Sequence, residues 1–291
     1  MNTPIKQHYV PQAYLNFFTD KSNYFHVYLN KEKKIIRQSP KSTAFQRNFY
    51  TLDRDGNKNY EIEKFFAENV DNLYRPVIQK IESHEPLSET DKINLTTFIA
   101  FQYLRTPDQR DNINRNYVKS YKTRAKLLAS SMNANNHLKH LPQSDRDSYV
   151  SFIEDKEIMN NIPKEISLKH MFDFKDDLIS ILMKHDFKIL EAPEKGEFIT
   201  SDNPYCMIPE RGSIGFGAIN TVKLFPLTPK FLLILRTPKI LSLGGGHVHR
   251  FKTNRKDIRR FNQTIAHWSY NFIYSKNKYI LNSIVQQTIR D

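Results

Sequence analysis

The spacing of the apolar residues changes near residue 186, and this change constrains the fold more than any other feature of the sequence. Before it, apolar side chains recur every three or four residues, as in Ile62, Phe65 and Phe66. After it, short β-type runs such as 231–236 are separated by Gly and Pro. Helices followed by strands are typical of an α+β protein and not of alternating βαβ units. We therefore predict an α+β fold: a helical N-terminal two-thirds with a small hairpin, then a mostly antiparallel sheet and C-terminal helices.

These patterns locate the individual elements along the chain. Predicted helices cover 12–18, 61–74 with a kink and continuation at Pro76, 88–106, 108–130, 145–159, 166–185, 255–268 and 279–289. Predicted strands cover 24–29, 34–38, 187–190, 197–200, 221–224, 231–236, 247–251 and 271–275. No long linker interrupts the chain. We expect one integrated domain over 1–291, with a mainly helical part over 1–186 and a basic, β-rich part over 187–291.

Composition excludes several classes of protein. Only 8 glycines are present, and neither a P-loop motif nor a dinucleotide-binding G-x-G-x-x-G occurs, so no nucleotide-cofactor motif is present. The single cysteine, Cys206, rules out an intramolecular disulfide and a zinc site built on paired cysteines, and we expect a buried thiol. No apolar run approaches the ~18 residues that span a bilayer, and no secretory signal is visible at the N-terminus. We expect a cytoplasmic protein without a membrane partner.

Positive charge is concentrated near the C-terminus. The chain carries 44 Lys and Arg against 31 Asp and Glu, a net charge of +13. Residues 211–291 contain 14 basic residues and 2 acidic ones, with no acidic residue between Arg211 and Lys256. We expect these charges to emerge on one surface and to bind nucleic acid, RNA or DNA; the alternative is a solvated basic face. The run Lys252, Arg255 and Lys256 provides the candidate phosphate contacts.

Two polar strings in the helical part contain candidate site residues. In the string at 7–12, His8 is a candidate acid or base because its ordinary pKa lies near neutrality, and Gln12 is a candidate substrate ligand. In the string at 101–110, Gln102 and Arg105 share one helix face, and Arg105 with Arg110 could clamp a phosphate. The alternatives are a backbone hydrogen bond for His8 and interhelical ion pairs for the arginines.

A third string, at 198–204, leads directly from an apolar run into Ser-Asp-Asn-Pro. Asp202 at the end of this run could act as a base or bind a divalent metal, and Asn203 could bind substrate. The alternative is an Asx-type turn that simply ends a strand before Pro204. A restriction-type nuclease is disfavoured, because Glu210 is the only acidic residue between Asp202 and Asp257.

Taken together, the strings resemble the bacterial domain-of-unknown-function 4238 family over about residues 6–275. The resemblance rests on the segments 8–12, 102–107 and 200–204, on the positions Tyr14, Leu15 and Phe17, and more weakly on Asn262 and the segment 271–275. It brings no established activity with it. It implies that the separated strings converge in space, and polar groups gathered from distant segments into one cleft are the usual form of an enzyme site.

The leading hypothesis is a protein that acts on nucleic acid, as a nuclease-like or nucleotide-modifying effector of the toxin or defence type. His8 would be the acid or base, Arg105 and Arg110 would stabilise phosphate charge, and Asp202 with Asn203 would orient substrate or a metal. One alternative is a non-catalytic nucleic-acid-binding protein in which the strings form a structural hydrogen-bond network. The other is an enzyme that acts on a small anionic ligand.

Overall fold

The structure is a computed structural model that describes residues 5–54, 57–134, 144, 162–210, 212, 214–218, 221–238 and 248–288. The chain forms two compact units, one of Met1–Pro107 with Phe174–Asp291 and the other of Asp108–Asp173. The expectation of one integrated domain stays a prediction. The predicted helix over 145–159 lies outside the described residues.

Helices and strands alternate irregularly along the chain. The helices are α1 Gln12–Leu15, α2 Glu61–Asn69, α3 Tyr74–Glu82, α4 Glu89–Leu104, α5 Pro107–Ala134, α6 Lys164–Met183, α7 Arg255–His267 and α8 Lys278–Thr288. The strands are β1 Lys6–His8, β2 Phe25–Leu29, β3 Lys34–Gln38, β4 Phe45–Arg47, β5 Leu52–Arg54, β6 Asn57–Asn59, β7 Asp186–Glu191, β8 Thr200–Ser201, β9 Cys206–Pro209, β10 Thr221–Pro226, β11 Phe231–Arg236, β12 Val248–Lys252 and β13 Phe272–Ser275.

Two larger sheets and two strand pairs contain these strands. A five-stranded sheet has the order β12-β7-β11-β10-β9, in which β12 and β7 run parallel and the other neighbours antiparallel. A four-stranded antiparallel sheet has the order β3-β2-β13-β8 and joins the N-terminal hairpin to a C-terminal strand. The pairs are β1-β4 and β5-β6. The α+β class and the mostly antiparallel pairing are confirmed.

Several elements differ from the sequence-based expectation. The N-terminal part contains the short strands β1, β4, β5 and β6, which were not predicted, in addition to the predicted hairpin. The predicted helix over 61–74 already ends at Asn69, and Pro76 lies in the first turn of the next helix, where its missing N–H is tolerated. The strand predicted over 197–200 is reduced to Thr200–Ser201, because side chains rather than a neighbouring strand hold the residues before it.

Local capping explains where two important helices begin. Ser88 caps α4 through a reciprocal capping box: its side chain accepts from the Asp91 backbone N–H, and the Asp91 carboxylate accepts from the Ser88 N–H. The Asn254 side chain caps α7 by accepting from the Asp257 N–H at 3.0 Å. Within the described residues, no helix is long and apolar enough to cross a membrane.

The core of the first unit is largely aromatic. Tyr14 is fully buried, and its ring lies 5.3 Å from that of Tyr74 and 5.4 Å from that of Phe225. A second apolar cluster packs α7 and α8 against the sheets and includes Cys206. The thiol of Cys206 is buried, as expected, and burial raises its pKa. Such packing fixes the segments that bear the polar strings.

Candidate functional site

His8 lies at the end of β1, where pairing with β4 fixes its backbone. The imidazole is half-buried, with Nδ1 3.5 Å from Gln12 Nε2 and the ring 5.5 Å from that of Phe45. Nε2 is shielded from solvent and has no hydrogen-bond partner among the residues that the structure describes. Burial lowers the His8 pKa, and the nearby backbone at 40–41 partly offsets this effect. The lowered pKa favours the neutral form of the imidazole.

Gln102 and Arg105 lie at the C-terminal end of α4 and are buried together. Gln102 Nε2 donates to the Tyr9 carbonyl at 3.1 Å, and its Oε1 accepts from Arg105 Nε at 3.2 Å. Arg105 Nη1 donates to Asp71 Oδ1 at 2.8 Å, and the guanidinium carbon lies 5.0 Å from the Phe66 ring centroid. Arg105 Nη2 is buried without a partner in the described chain. The predicted shared helix face is confirmed, and it faces the protein interior.

Asp202 follows β8 and is completely buried. Its Oδ1 accepts from the Tyr270 N–H and its Oδ2 from the Asn271 N–H, both at 2.8 Å. Burial raises the pKa of this carboxyl to about 7, against the effect of these backbone donors. Asn203 is also buried, and its N–H donates to Ser201 Oγ at 3.2 Å. Both carboxylate oxygens are thus engaged in ordering the residues that precede β13.

The three strings meet around Tyr9 without forming one hydrogen-bonded constellation. Gln102 bonds the Tyr9 carbonyl, and the Asp202 carboxylate contributes to the raised pKa of the buried Tyr9 hydroxyl. Arg105 is close enough to contribute to the lowered pKa of His8. Within the described part of the chain, however, Asp202 makes no hydrogen bond to His8 or Arg105. The strings therefore converge in space as a largely buried network.

Two residues that were not predicted as site residues hold the segment at 197–202. The Tyr14 hydroxyl lies 2.6 Å from Thr200 Oγ1 and donates to the Pro226 carbonyl at 2.8 Å. Asn262 Oδ1 accepts from the Ile199 N–H at 3.0 Å, and its Nδ2 donates to the Glu197 carbonyl at 2.9 Å. Both residues belong to the positions on which the family resemblance rests, and that resemblance was the sequence signal for a positioning role.

Arg110 lies on α5 in the second unit. Its Nε donates to Ser167 Oγ at 3.1 Å, and Ser167 Oγ in turn donates to the Lys164 carbonyl at 2.9 Å. These contacts join α5 to the start of α6 within that unit. A role for Arg110 in binding phosphate stays a prediction.

The C-terminal cations do not all emerge on one surface, so that expectation is wrong. Lys223 is buried and donates to His185 Nε2 at 2.8 Å. Lys230 pairs with Glu191, and Arg236 pairs with Glu210. These three cations lie on or beside strands of the five-stranded sheet. One is buried by packing, and the other two form ion pairs with nearby carboxylates.

A compact group of exposed cations remains at the start of α7. We call it the α7 basic face, and it consists of Lys252, Arg255, Lys256, Arg259 and Arg260. Arg255 and Arg259 are four residues apart, as are Lys256 and Arg260, so the helix forms two adjacent rows of cations. The buried residues of the same helix include Ile258, Asn262 and Ile265. Asp257 is the acidic residue within the helix, and its carboxylate accepts from Asn254 Nδ2 at 2.8 Å.

A groove of about 290 Å³ adjoins this face. Its lining residues come from the loop before β8, from α7 and from α8: Lys195, Gly196, Glu197, Arg255, Ile258, Arg259, Asn262, Tyr279, Ile280, Ser283 and Ile284. Isoleucines supply its apolar surface. Its polar lining consists of three cations, one carboxylate, one amide, one serine and one tyrosine, so the groove combines apolar surface with a net positive charge.

Metal binding receives no support from side-chain clustering. Among the described residues, no group of three or more His, Cys, Asp or Glu side chains could hold a metal ion. A divalent metal at Asp202 would have to compete with the two backbone donors that occupy its carboxylate.

Residues 6–279 match the model of a family described as "Protein of unknown function (DUF4238)". Because the match covers almost the whole chain, the chain belongs to this family, and the resemblance noted from the strings is confirmed. Comparisons with curated proteins and with solved structures found no match.

Proposed function

We propose that this member of the DUF4238 family binds nucleic acid through the α7 basic face. The observation that carries the proposal concerns four exposed cations of this face, Lys252, Arg255, Lys256 and Arg260. No carboxylate of the described chain forms an ion pair with Lys252, Arg255, Lys256 or Arg260. These four cations, gathered at this density without an ion pair in the described chain, suit a partner that carries its own regularly spaced negative charges.

The placement of the cations costs the protein stability, which supports a functional reason for them. Arg255 and Lys256 occupy the first turn of α7, where the helix dipole disfavours positive charge. Like charges four residues apart also repel each other. A phosphate backbone would relieve both effects, because duplex DNA carries one negative charge per ~1.7 Å of helix axis.

A binding titration at several salt concentrations tests the proposal. The probes are labelled single- and double-stranded RNA and DNA of the same sequence. Affinity should fall steeply with salt, with a slope of about −0.9 per phosphate contact on a duplex and about −0.7 on a single strand. The combined reversal Lys252→Glu, Arg255→Glu and Lys256→Glu should flatten the slope by about one unit for each phosphate that the variant no longer neutralises.

The matched control places the same change of charge on the N-terminal hairpin, as Lys31→Glu, Lys33→Glu and Lys34→Glu. These lysines are also exposed, so their reversal tests whether net charge alone governs binding. We expect the control to retain most of the salt dependence. Equal effects of the two triple variants, or no binding of any of the four probes at low salt, would contradict the proposal.

A second candidate function is nuclease-like or nucleotide-modifying chemistry, and the state of His8 favours it. Burial lowers the His8 pKa, which favours the neutral imidazole, and a neutral imidazole could accept a proton at the ring nitrogen that carries no hydrogen. His8→Ala should then abolish turnover of RNA or DNA with little change in melting temperature. His249→Ala, which removes an exposed histidine outside the three strings, is the control. Unchanged turnover in His8→Ala would remove His8 from the chemistry.

A further inference from the structure

We propose that the groove beside α7 is a subsite for one unpaired nucleotide, with the base stacked on Tyr279 and its phosphate held by Arg255 and Lys195. This inference rests on the proposed function and narrows its substrate class to single-stranded nucleic acid. Nothing in the family description assigns a ligand to this groove.

The size of the groove supports a single nucleotide unit. At about 290 Å³ it lies just below the ~300–1,000 Å³ typical of small-molecule pockets. A base pair with its two backbones could not enter such a space, whereas one unstacked base could. Ile258, Ile280 and Ile284 provide an apolar wall for the base.

Tyr279 has the properties of a stacking platform. Its side chain is 84% exposed, more than any other large apolar side chain in the described part of the chain. The backbone beneath it is fixed, because the Tyr279 N–H donates to Asn277 Oδ1 at 2.9 Å in the first turn of α8. Aromatic rings beside a basic groove are the usual means by which proteins bind single strands without reading sequence.

The charges around the groove favour an anion. Lys195, Arg255 and Arg259 line it, and Glu197 is the carboxylate among the lining residues. Glu197 Oε1 is paired with Lys276 Nζ at 3.0 Å, whereas its Oε2 is buried without a partner in the described chain, so three cations around the groove face one carboxylate. The net positive potential at the rim therefore suits the phosphate that accompanies a stacked base.

A glycine sets the width of the groove. A Cβ added at Gly196 would lie 2.6 Å from Ile258 Cδ1, which is closer than real carbon atoms approach. The absence of a side chain at 196 therefore lets this loop approach α7 closely. The close approach brings Lys195 to the same opening as Arg255.

Substitution of Tyr279 separates this subsite from general electrostatic binding. Binding of a labelled 12-nucleotide single strand and of the corresponding duplex would be measured by fluorescence anisotropy at one moderate salt concentration. Tyr279→Ala should weaken single-strand binding by about 5- to 100-fold, the reduction expected for one stacked base. Duplex affinity and the salt slope should stay unchanged, because every cation is retained.

Two further variants act as controls. Tyr279→Phe keeps the aromatic ring and should retain single-strand affinity to within about twofold. Tyr24→Ala removes another exposed tyrosine, which does not line the groove, and should leave binding unchanged.

The failure of this inference is distinguishable from that of the proposed function. If Tyr279→Ala weakens both probes equally, or neither, the nucleotide subsite is wrong. If the wild-type protein binds only the duplex, with a steep salt slope, the proposed binding by the α7 basic face is supported and the proposed nucleotide subsite is wrong. If neither probe binds, the proposed function itself fails.

Discussion

Lys256→Glu should make the protein more stable while weakening its binding to nucleic acid. Lys256 is exposed, lies in the first turn of α7 and is four residues before Arg260. A glutamate there would change a repulsion from the helix dipole into an attraction, and a like-charge pair into an opposite-charge pair. Lys and Glu have similar helix propensities, so the backbone preference barely changes.

The expected gain in the free energy of unfolding is on the order of 1 kcal/mol at low salt. Each of the two effects contributes some tenths of a kcal/mol to ~1 kcal/mol, and solvent screening reduces their total at an exposed site. For a chain of this size, the gain corresponds to a rise of about 2 °C in melting temperature. The neutral variant Lys256→Gln should show about half of the effect.

Thermal unfolding at about 20 mM and about 500 mM salt, together with the binding titration, provides the assay. The gain should shrink at high salt because both effects are electrostatic. A stability loss in Lys256→Glu, or a gain that persists at high salt, would refute the electrostatic reasoning. If Lys256→Glu raises the stability and leaves the affinity for nucleic acid unchanged, then Lys256 does not contact nucleic acid, and its unfavourable position at the start of α7 has another cause.

Three further predictions concern buried polar residues. Arg105→Ala should destabilise the protein by about 3–5 kcal/mol in denaturant unfolding, because Asp71 loses its buried partner; the double variant with Asp71→Ala should recover part of that stability. Asp202→Ala should cost about 2–5 kcal/mol, since two backbone N–H groups lose their acceptor, whereas Asp202→Asn keeps one acceptor oxygen and should cost less. Burial and the neighbouring Lys223 lower the pKa of His185 to about 4. Because the folded-state pKa is lowered, the contribution of His185 to the free energy of unfolding is fully present above about pH 6.5. It falls by on the order of 3 kcal/mol as the pH drops towards 4. His185→Gln should remove this pH dependence, and an unchanged pH profile in that variant would contradict the role given to His185.

Elements with strong local signals could be predicted from the sequence. The Ser88 cap, the alternation on both sides of the turn after Leu29 and the amphipathic pattern of α7 each lie within a few consecutive residues. The three-residue strands β1 and β4 could not be predicted, because each depends on a partner almost 40 residues away. The segment at 197–199 has the composition of a strand, but the Asn262 side chain bonds its backbone instead.

The candidate site could likewise be predicted from the sequence only where local spacing determines how its residues are placed. Gln102 and Arg105 were correctly placed on one helix face, because helical spacing alone determines that relation. Whether this face meets solvent or core depends on Tyr9 and Asp71, which are 93 and 34 residues away from their partners in the chain. A buried arginine and a phosphate-binding arginine have the same local sequence, so only the tertiary contacts distinguish them.

One helix joins the buried network to the proposed binding surface. α7 carries both the exposed cations and the buried Asn262, whose side chain bonds the Ile199 N–H and the Glu197 carbonyl. Glu197 and Asn262 also line the groove, while the segment that continues to Asp202 is fixed by the backbone before β13. The segment that leads into the third string is therefore bonded to α7 and contributes Glu197 to its groove. Nucleic-acid binding by this surface would depend on the network without requiring any of its buried residues to touch the ligand.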